Sequence, residues 1–172
     1  LDLKWHDIPN TVAGAVAAAS EQGVAMATVH TLGGARMLAA AQHAAGPDLA
    51  LVGVTVLTSH SPDDFGRSVG RSVPDLTIDV VRLAVEARRA GLAGVVCSPQ
   101  EIRAVREAIG PDALVVVPGI RRADDPQGDQ VRTATPAAAA RAGATHLVVG
   151  RPVLAADDPA VAFEAMMGEM VG

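Results

Sequence analysis

The sequence predicts an α/β fold built on a parallel sheet, and three observations carry that prediction. Short apolar runs alternate with alanine-rich, helix-forming stretches six times along the chain, and alternation of this kind lays the strands parallel. Several runs, residues 49–57 above all, are apolar at nearly every position, which marks strands buried on both faces. The chain is 49% hydrophobic yet has only two Phe, one Trp and no Tyr. Its core is therefore built from Ala, Val, Leu and Ile, side chains small enough for helices to pack closely on a sheet. With 172 residues and no low-complexity linker, residues 1–172 form a single domain. Six repeats suit a closed barrel and an open, doubly wound sheet equally.

The first strand is predicted at the start, where Asp2 and Lys4 alternate with Leu1 and Leu3 in the period-two pattern of extended chain. Pro9 suits the first turn of a helix, which continues over residues 12–20 and closes at Gly23. Residues 24–30 read as a short buried strand ending at His30. Gly33-Gly34 follows, and the pair reads as a turn that needs positive φ. Residues 35–45 form the next helix, stopped by Gly46-Pro47. After the apolar strand comes a polar loop over 58–75 with room for a short helix, and a long loop in a compact domain is more often functional than accidental. A helix is predicted over 76–90 with Ile78, Val81, Ala84 and Val85 on its apolar face, ended by Gly91. Residues 94–97 are the next strand, and Ser98-Pro99 caps and opens a helix that reaches Ile109. Gly110-Pro111 stops it, residues 114–117 are a strand, and 118–133 form a second long polar loop. Thr135-Pro136 has N-cap and first-turn chemistry for a helix ending at Gly143. The last strand is 146–149, and a final helix covers 158–170.

Charge and cysteine usage narrow the function. A net charge of −5 argues against nucleic acid as a partner, because phosphate backbones attract basic surfaces; a small anionic substrate needs only a few arginines gathered locally. The single cysteine, Cys97, excludes an internal disulfide and fits a reducing, cytoplasmic compartment. Its place within a strand makes it a small core residue. No apolar run approaches the roughly 18 residues that span a bilayer, so no membrane partner is predicted. Any targeting signal would lie upstream of Leu1. The five histidines have no His-x-x-x-His spacing, and no Cys-x-x-Cys pair occurs, so no metal site is predicted.

The chemistry concentrates in the opening stretch. Asp2 and Lys4 share one face of a strand, and Asp7 lies just past its end. A lysine between two carboxylates is held in its charged form, which suits a proton donor beside an anionic substrate. A solvated charge pair at a strand end explains the same spacing. Gly150-Arg151-Pro152 follows the last strand. A glycine there admits backbone N–H groups to an anion, and arginine offers a fork that matches phosphate oxygens; a turn before a surface arginine is the alternative.

The wording of these stretches resembles that of orotidine 5′-phosphate decarboxylases. Asp-x-Lys-x-x-Asp-Ile-Pro-Asn-Thr at 2–11 is similar to the family's signature. In order, so are Val-His-Thr-Leu-Gly-Gly (29–34), Val-Thr-Val-Leu-Thr-Ser (54–59), Gly-Val-Val-Cys-Ser-Pro (94–99), Val-Pro-Gly-Ile-Arg (117–121) and Val-Gly-Arg-Pro (149–152). The resemblance implies a (β/α)8 TIM barrel, with the six predicted strands aligned to the family's strands 3–8 and two strand–helix units absent from the amino end. In such a barrel the site lies at the carboxyl ends of the strands, where Asp2, Lys4, His30, Thr58, Ser59, Ser98, Arg121 and Arg151 all fall.

By that resemblance Lys4, Asp2 and Asp7 are the catalytic residues. Thr11, Thr58, Arg121, Gln130, Gly150 and Arg151 bind a pyrimidine nucleoside monophosphate. Arg121 and Gln130 lie on the phosphate side, and Thr58, or Ser59 beside it, reads the pyrimidine ring. The resemblance further implies no cofactor or metal, and a homodimer with shared active sites in which the Asp7–Thr11 loop crosses to the neighbour. A further Asp and Lys of the family's array belong to its first two strands. Two alternatives stand beside this reading. One is a magnesium-dependent sugar-phosphate decarboxylase of the same superfamily, which shares Asp-x-Lys-x-x-Asp but not the Ile-Pro-Asn-Thr continuation; the other is a non-catalytic barrel fragment.

Overall fold

The computed structural model describes residues 1–122 and 132–171. Five strands form one parallel sheet in the order of the chain: β1 (Met26–His30), β2 (Ala50–Val54), β3 (Gly94–Val96), β4 (Leu114–Val117) and β5 (His146–Leu147). Each strand pairs with the next one in sequence, so the order never reverses. A doubly wound sheet must reverse at a switch point, so the sheet is of the singly wound, barrel-forming kind. A sixth extended segment lies alongside β1 through the parallel bridge Trp5–Val29.

That segment departs from the predicted strand over 1–4. Leu1 N donates to Met26 O and Thr28 N to Leu1 O, so Leu1 sits opposite Ala27. Trp5 N donates to Thr28 O and His30 N to Trp5 O, so Trp5 sits opposite Val29. Four steps along the first segment thus match two along β1, which leaves two extra residues bulged out opposite Thr28. Lys4 carries the distortion with φ +51°, the one positive-φ residue other than glycine among the described residues. Leu1 and Leu3 are exposed, so no buried face holds this stretch in regular alternation.

The helices are α1 (Pro9–Glu21), α2 (Gly34–Ala44), α3 (Pro62–Val69), α4 (Leu76–Arg89), α5 (Ile102–Ile109), α6 (Pro136–Ala142), α7 (Arg151–Leu154) and α8 (Pro159–Val171). Short 3-10 turns at Thr31–Gly33 and Pro99–Glu101 precede α2 and α5. The predicted start and stop signals act as expected. Pro9 opens α1, Thr135 accepts from Ala138 N at 3.2 Å at the head of α6, and Gly143 ends that helix at φ +111°. The Gly33-Gly34 turn is confirmed by φ +80° at Gly34. Residues 58–75 contain α3, fixed by a reciprocal Ser61–Asp64 capping box of the kind that satisfies two orphan donors at once.

The face assigned to the helix over 76–90 needs correction. Ile78 is 68% exposed and Val81 and Val85 are half-buried; the buried positions of α4 are Leu76, Asp79, Val80, Leu83, Ala84 and Ala87. Ala84 was placed correctly and Val81 packs partly buried against the core, whereas Ile78 faces outward. Asp79 counts as an inward position because Arg71 from the preceding loop pairs with it, with Arg82 at 3.5 Å on the same oxygen. A paired acid can lie in a core face where an apolar pattern does not look for one. The core itself is aliphatic, as composition demands, with Val16, Leu38, Leu51, Val80, Leu92, Ile102 and Val115 fully buried. Cys97 is buried with them as a free thiol. Burial and then the nearby Glu101 charge push that thiol up to about 12.

Candidate active site

Because all strands run parallel, their carboxyl ends share one edge, and several of the polar residues singled out in the sequence fall into two clusters. The bulge brings the Lys4 Nζ to 2.6 Å from Asp2 Oδ2. Thr28, on β1, completes the group: its hydroxyl donates to Asp2 Oδ1 and accepts from Lys4 N, each at 2.8 Å. Partial burial opposes ionisation of Asp2. The hydrogen bonds from Lys4 and Thr28, with the lysine charge, outweigh it and hold the carboxyl below its ordinary value. The Lys4 amine thus sits beside a carboxylate held in its charged form.

Asp7 does not join this cluster. Its carboxylate accepts from Ile8 N at 2.6 Å, it is exposed, and the ion pair described for Lys4 is with Asp2. Thr11 lies exposed in the first turn of α1. His30 ends β1 buried and stacks on His6 with ring centroids 5.3 Å apart. Burial, and then His6, His60 and Lys4, lower its pKa to about 4, so the ring is neutral. Its Nδ1 accepts from Leu32 N at 3.4 Å.

A second cluster ties together the loops after β2, β3 and β4. Thr58 is half-buried beyond β2, and Ser59 lines a cleft of about 390 Å³ with His60, Pro74, Gln100, Glu101 and Arg132 among its walls. At its base Arg132 Nη1 lies 2.6 Å from Glu101 Oε1 and Nη2 lies 3.1 Å from the Leu57 carbonyl. Ser98 donates to the other Glu101 oxygen. Arg121, in the segment after β4, turns its guanidinium back to the Ile120 carbonyl at 2.7 Å. Gly150 and Arg151 follow β5, with Gly150 at the head of the four-residue α7 and open space where a side chain would stand. Gln130 lies outside the described residues.

Thr28, Glu101 and Arg132 were missed in the sequence. Thr28 had a signal: it is the polar residue two before His30 in an apolar run, hence on the same strand face. Glu101 had one as well, since Ser98-Pro-Gln-Glu101 reads as a capping box. Arg132 had none, because its partner is 31 residues away.

The family model described as "Orotidine 5'-phosphate decarboxylase / HUMPS family" matches residues 1–166. The chain belongs to this family. The orotidine 5′-phosphate decarboxylase of Anaeromyxobacter sp. (strain K) is 53% identical over 166 residues, 96% of this chain and 72% of that protein. That of Halorhodospira halophila is 52% identical over 173 residues, again 72% of its length. Among solved structures, orotidine 5′-phosphate decarboxylase from Lactobacillus acidophilus superposes with a TM-score of 0.85 at 38% identity, covering all of this chain and 75% of that one. The Pyrococcus horikoshii OT3 enzyme, at 24% identity and a TM-score of 0.76, shares the fold. The family therefore supplies the barrel architecture of which this sheet is a part, and the matched range spans both clusters. Among the described residues no three His, Cys, Asp or Glu side chains group to hold a metal ion, and no helix is long and apolar enough to cross a membrane.

Proposed function

We propose that the protein is an orotidine 5′-phosphate decarboxylase, converting orotidine 5′-monophosphate to uridine 5′-monophosphate and carbon dioxide in pyrimidine biosynthesis. The observation that carries this reading is the Lys4–Asp2 pair at 2.6 Å on the carboxyl edge of the sheet, in a chain about half identical to relatives of that name. Breaking the bond from ring carbon 6 to the carboxyl group leaves its electron pair on that carbon. The Lys4 ammonium stabilises the developing charge and then gives its proton to the same carbon. Fixed charges act strongly there because they need no reorganisation as the reaction proceeds. Asp2, 2.6 Å away, keeps the Lys4 amine aimed. Neither step needs a cofactor or metal.

Thr58, or Ser59 beside it, reads the pyrimidine, and Arg121, Gln130, Gly150 and Arg151 hold the phosphate. Phosphate is remote from the reacting carbon, so its binding energy acts through positioning. Asp7, exposed and detached from Lys4, fits a role in a neighbour's site, with Thr11 beside it; the protein then works as a cytoplasmic homodimer.

The test is Lys4→Ala in the intact protein. Carbon dioxide release from orotidine 5′-monophosphate falls to background while uridine 5′-monophosphate still binds. Wild-type turnover in the variant removes Lys4 from the mechanism. Loss of turnover in wild type on chelation, restored by magnesium, moves the assignment to the metal-dependent sugar-phosphate decarboxylases of the superfamily.

A further inference from the structure

The bulge opposite Thr28 is a costly way to build the edge of a sheet. Two residues are left out of the ladder, and Lys4 is held at φ +51°, a conformation that side chains other than glycine rarely adopt. Such strain persists only where the surroundings impose it. Here one side chain does so. The Thr28 hydroxyl spends its proton on Asp2 Oδ1 and its lone pair on Lys4 N, both at 2.8 Å. Lys4 N thereby finds a partner that the interrupted ladder no longer offers it. Thr28 itself is buried on a regular strand paired along its length with β2, so the hydroxyl is a fixed point.

We propose that Thr28 is a positioning residue for the reaction, its hydroxyl setting the Asp2 carboxylate and the Lys4 backbone in one geometry. The proposal rests on the decarboxylase reading for what that geometry serves. Thr28 does not touch substrate in this role; it acts through Asp2 and Lys4. The charged side chain that bears on Asp2 is Lys4, through Nζ, and His30, farther along β1, is neutral above about pH 4. Without the hydroxyl, Asp2 loses one of the two side-chain hydrogen bonds that favour its charged form, and the bulge loses its anchor.

The experiment compares Thr28→Val, Thr28→Ala and Thr28→Ser in the intact protein. Valine keeps the shape without the hydroxyl, and the alanine–serine pair differs only in that hydroxyl should valine disturb the fold. Two readouts are taken: Asp2 titration by carboxyl NMR in the ligand-free protein, and kcat and KM for orotidine 5′-monophosphate against pH. Expected are a raised Asp2 pKa in Val and Ala and an acid limb of kcat moved upward. The fall in kcat is about 10- to 100-fold, the equivalent of one charge-assisted hydrogen bond, with KM within about threefold and Ser near wild type. An Asp2 titration unchanged in Val and Ala overturns the positioning geometry, whatever the turnover. A shifted titration with wild-type kcat overturns its part in the reaction. Absence of turnover in the unmodified protein instead refutes the decarboxylase reading, and the catalytic half of this proposal with it.

Discussion

Replacing Arg132 by methionine isolates what the pair beneath the cleft contributes to stability. The Glu101 and Arg132 side chains are 3% and 7% exposed, so removing the cation strands a carboxylate away from water. Breaking a buried pair this way costs about 3–5 kcal/mol. Glu101→Gln strands the guanidinium instead and costs about 3 kcal/mol on the same reasoning. Removing both charges together is far milder. Arg132 Nε is already buried without a hydrogen-bond partner among the described residues, so the intact pair carries an uncompensated desolvation cost. The double variant loses the bond to the Leu57 carbonyl and the charge assistance of the Ser98 bond, which an amide oxygen still accepts, at about 1 kcal/mol each. Additivity predicts about 6–8 kcal/mol for the double variant; the structure predicts about 2. Urea unfolding followed by circular dichroism measures all four proteins, with each kilocalorie also worth about 2–4 °C in Tm at this size. A double variant whose loss equals the sum of the singles to within about 1 kcal/mol refutes the argument, because independent sites add and coupled charges do not.

Arg151→Ala should weaken binding of a nucleoside monophosphate roughly 10- to 100-fold while leaving the nucleoside almost unaffected; equal losses by calorimetry show that Arg151 does not hold phosphate. Mixing inactive Lys4→Ala and Asp7→Asn proteins under subunit exchange should restore about a quarter of wild-type activity, since about half the dimers are mixed and each keeps one intact site. A mixture that stays inactive despite proven exchange confines Asp7 to its own barrel. His30, with its pKa lowered from 6.5 to about 4 by burial and its neighbours, takes up a proton in the unfolded chain before the folded one. Stability is therefore lost as pH falls through that window, by up to about 3 kcal/mol by linkage and about 1–2 after solvent screening at this open edge. Unfolding His30→Gln beside wild type from pH 7 to pH 4 checks this, and the variant should lack that share of the acid sensitivity; parallel curves refute it.

Most of the architecture was legible because local physics decides it. Pro9, Thr135, Gly34 and Gly143 act through backbone conformation and unpaired N–H groups within a few residues of themselves, and the run over 49–57 is apolar because both faces of its strand are covered. The spacing of Asp2 and Lys4 likewise carried the candidate chemistry, and the Asp2–Lys4 pair did form. The tertiary structure decided the rest. Six strand–helix repeats cannot say whether strand order reverses, since that depends on which side of the sheet each helix crosses, a choice no local pattern encodes. Regular alternation at Leu1–Lys4 gave way to a bulge because its partner across the ladder, the Thr28 hydroxyl, stands 24 residues from Lys4. Asp79 entered the buried face of α4 because Arg71 neutralises it there, and Glu101 became a buried anion because Arg132 arrives from 31 residues on. In each case the side chain's environment is set by a charge or hydroxyl brought close only by folding. A period of 2 or 3.6 registers hydrophobicity along one element and is blind to a polar partner supplied by another.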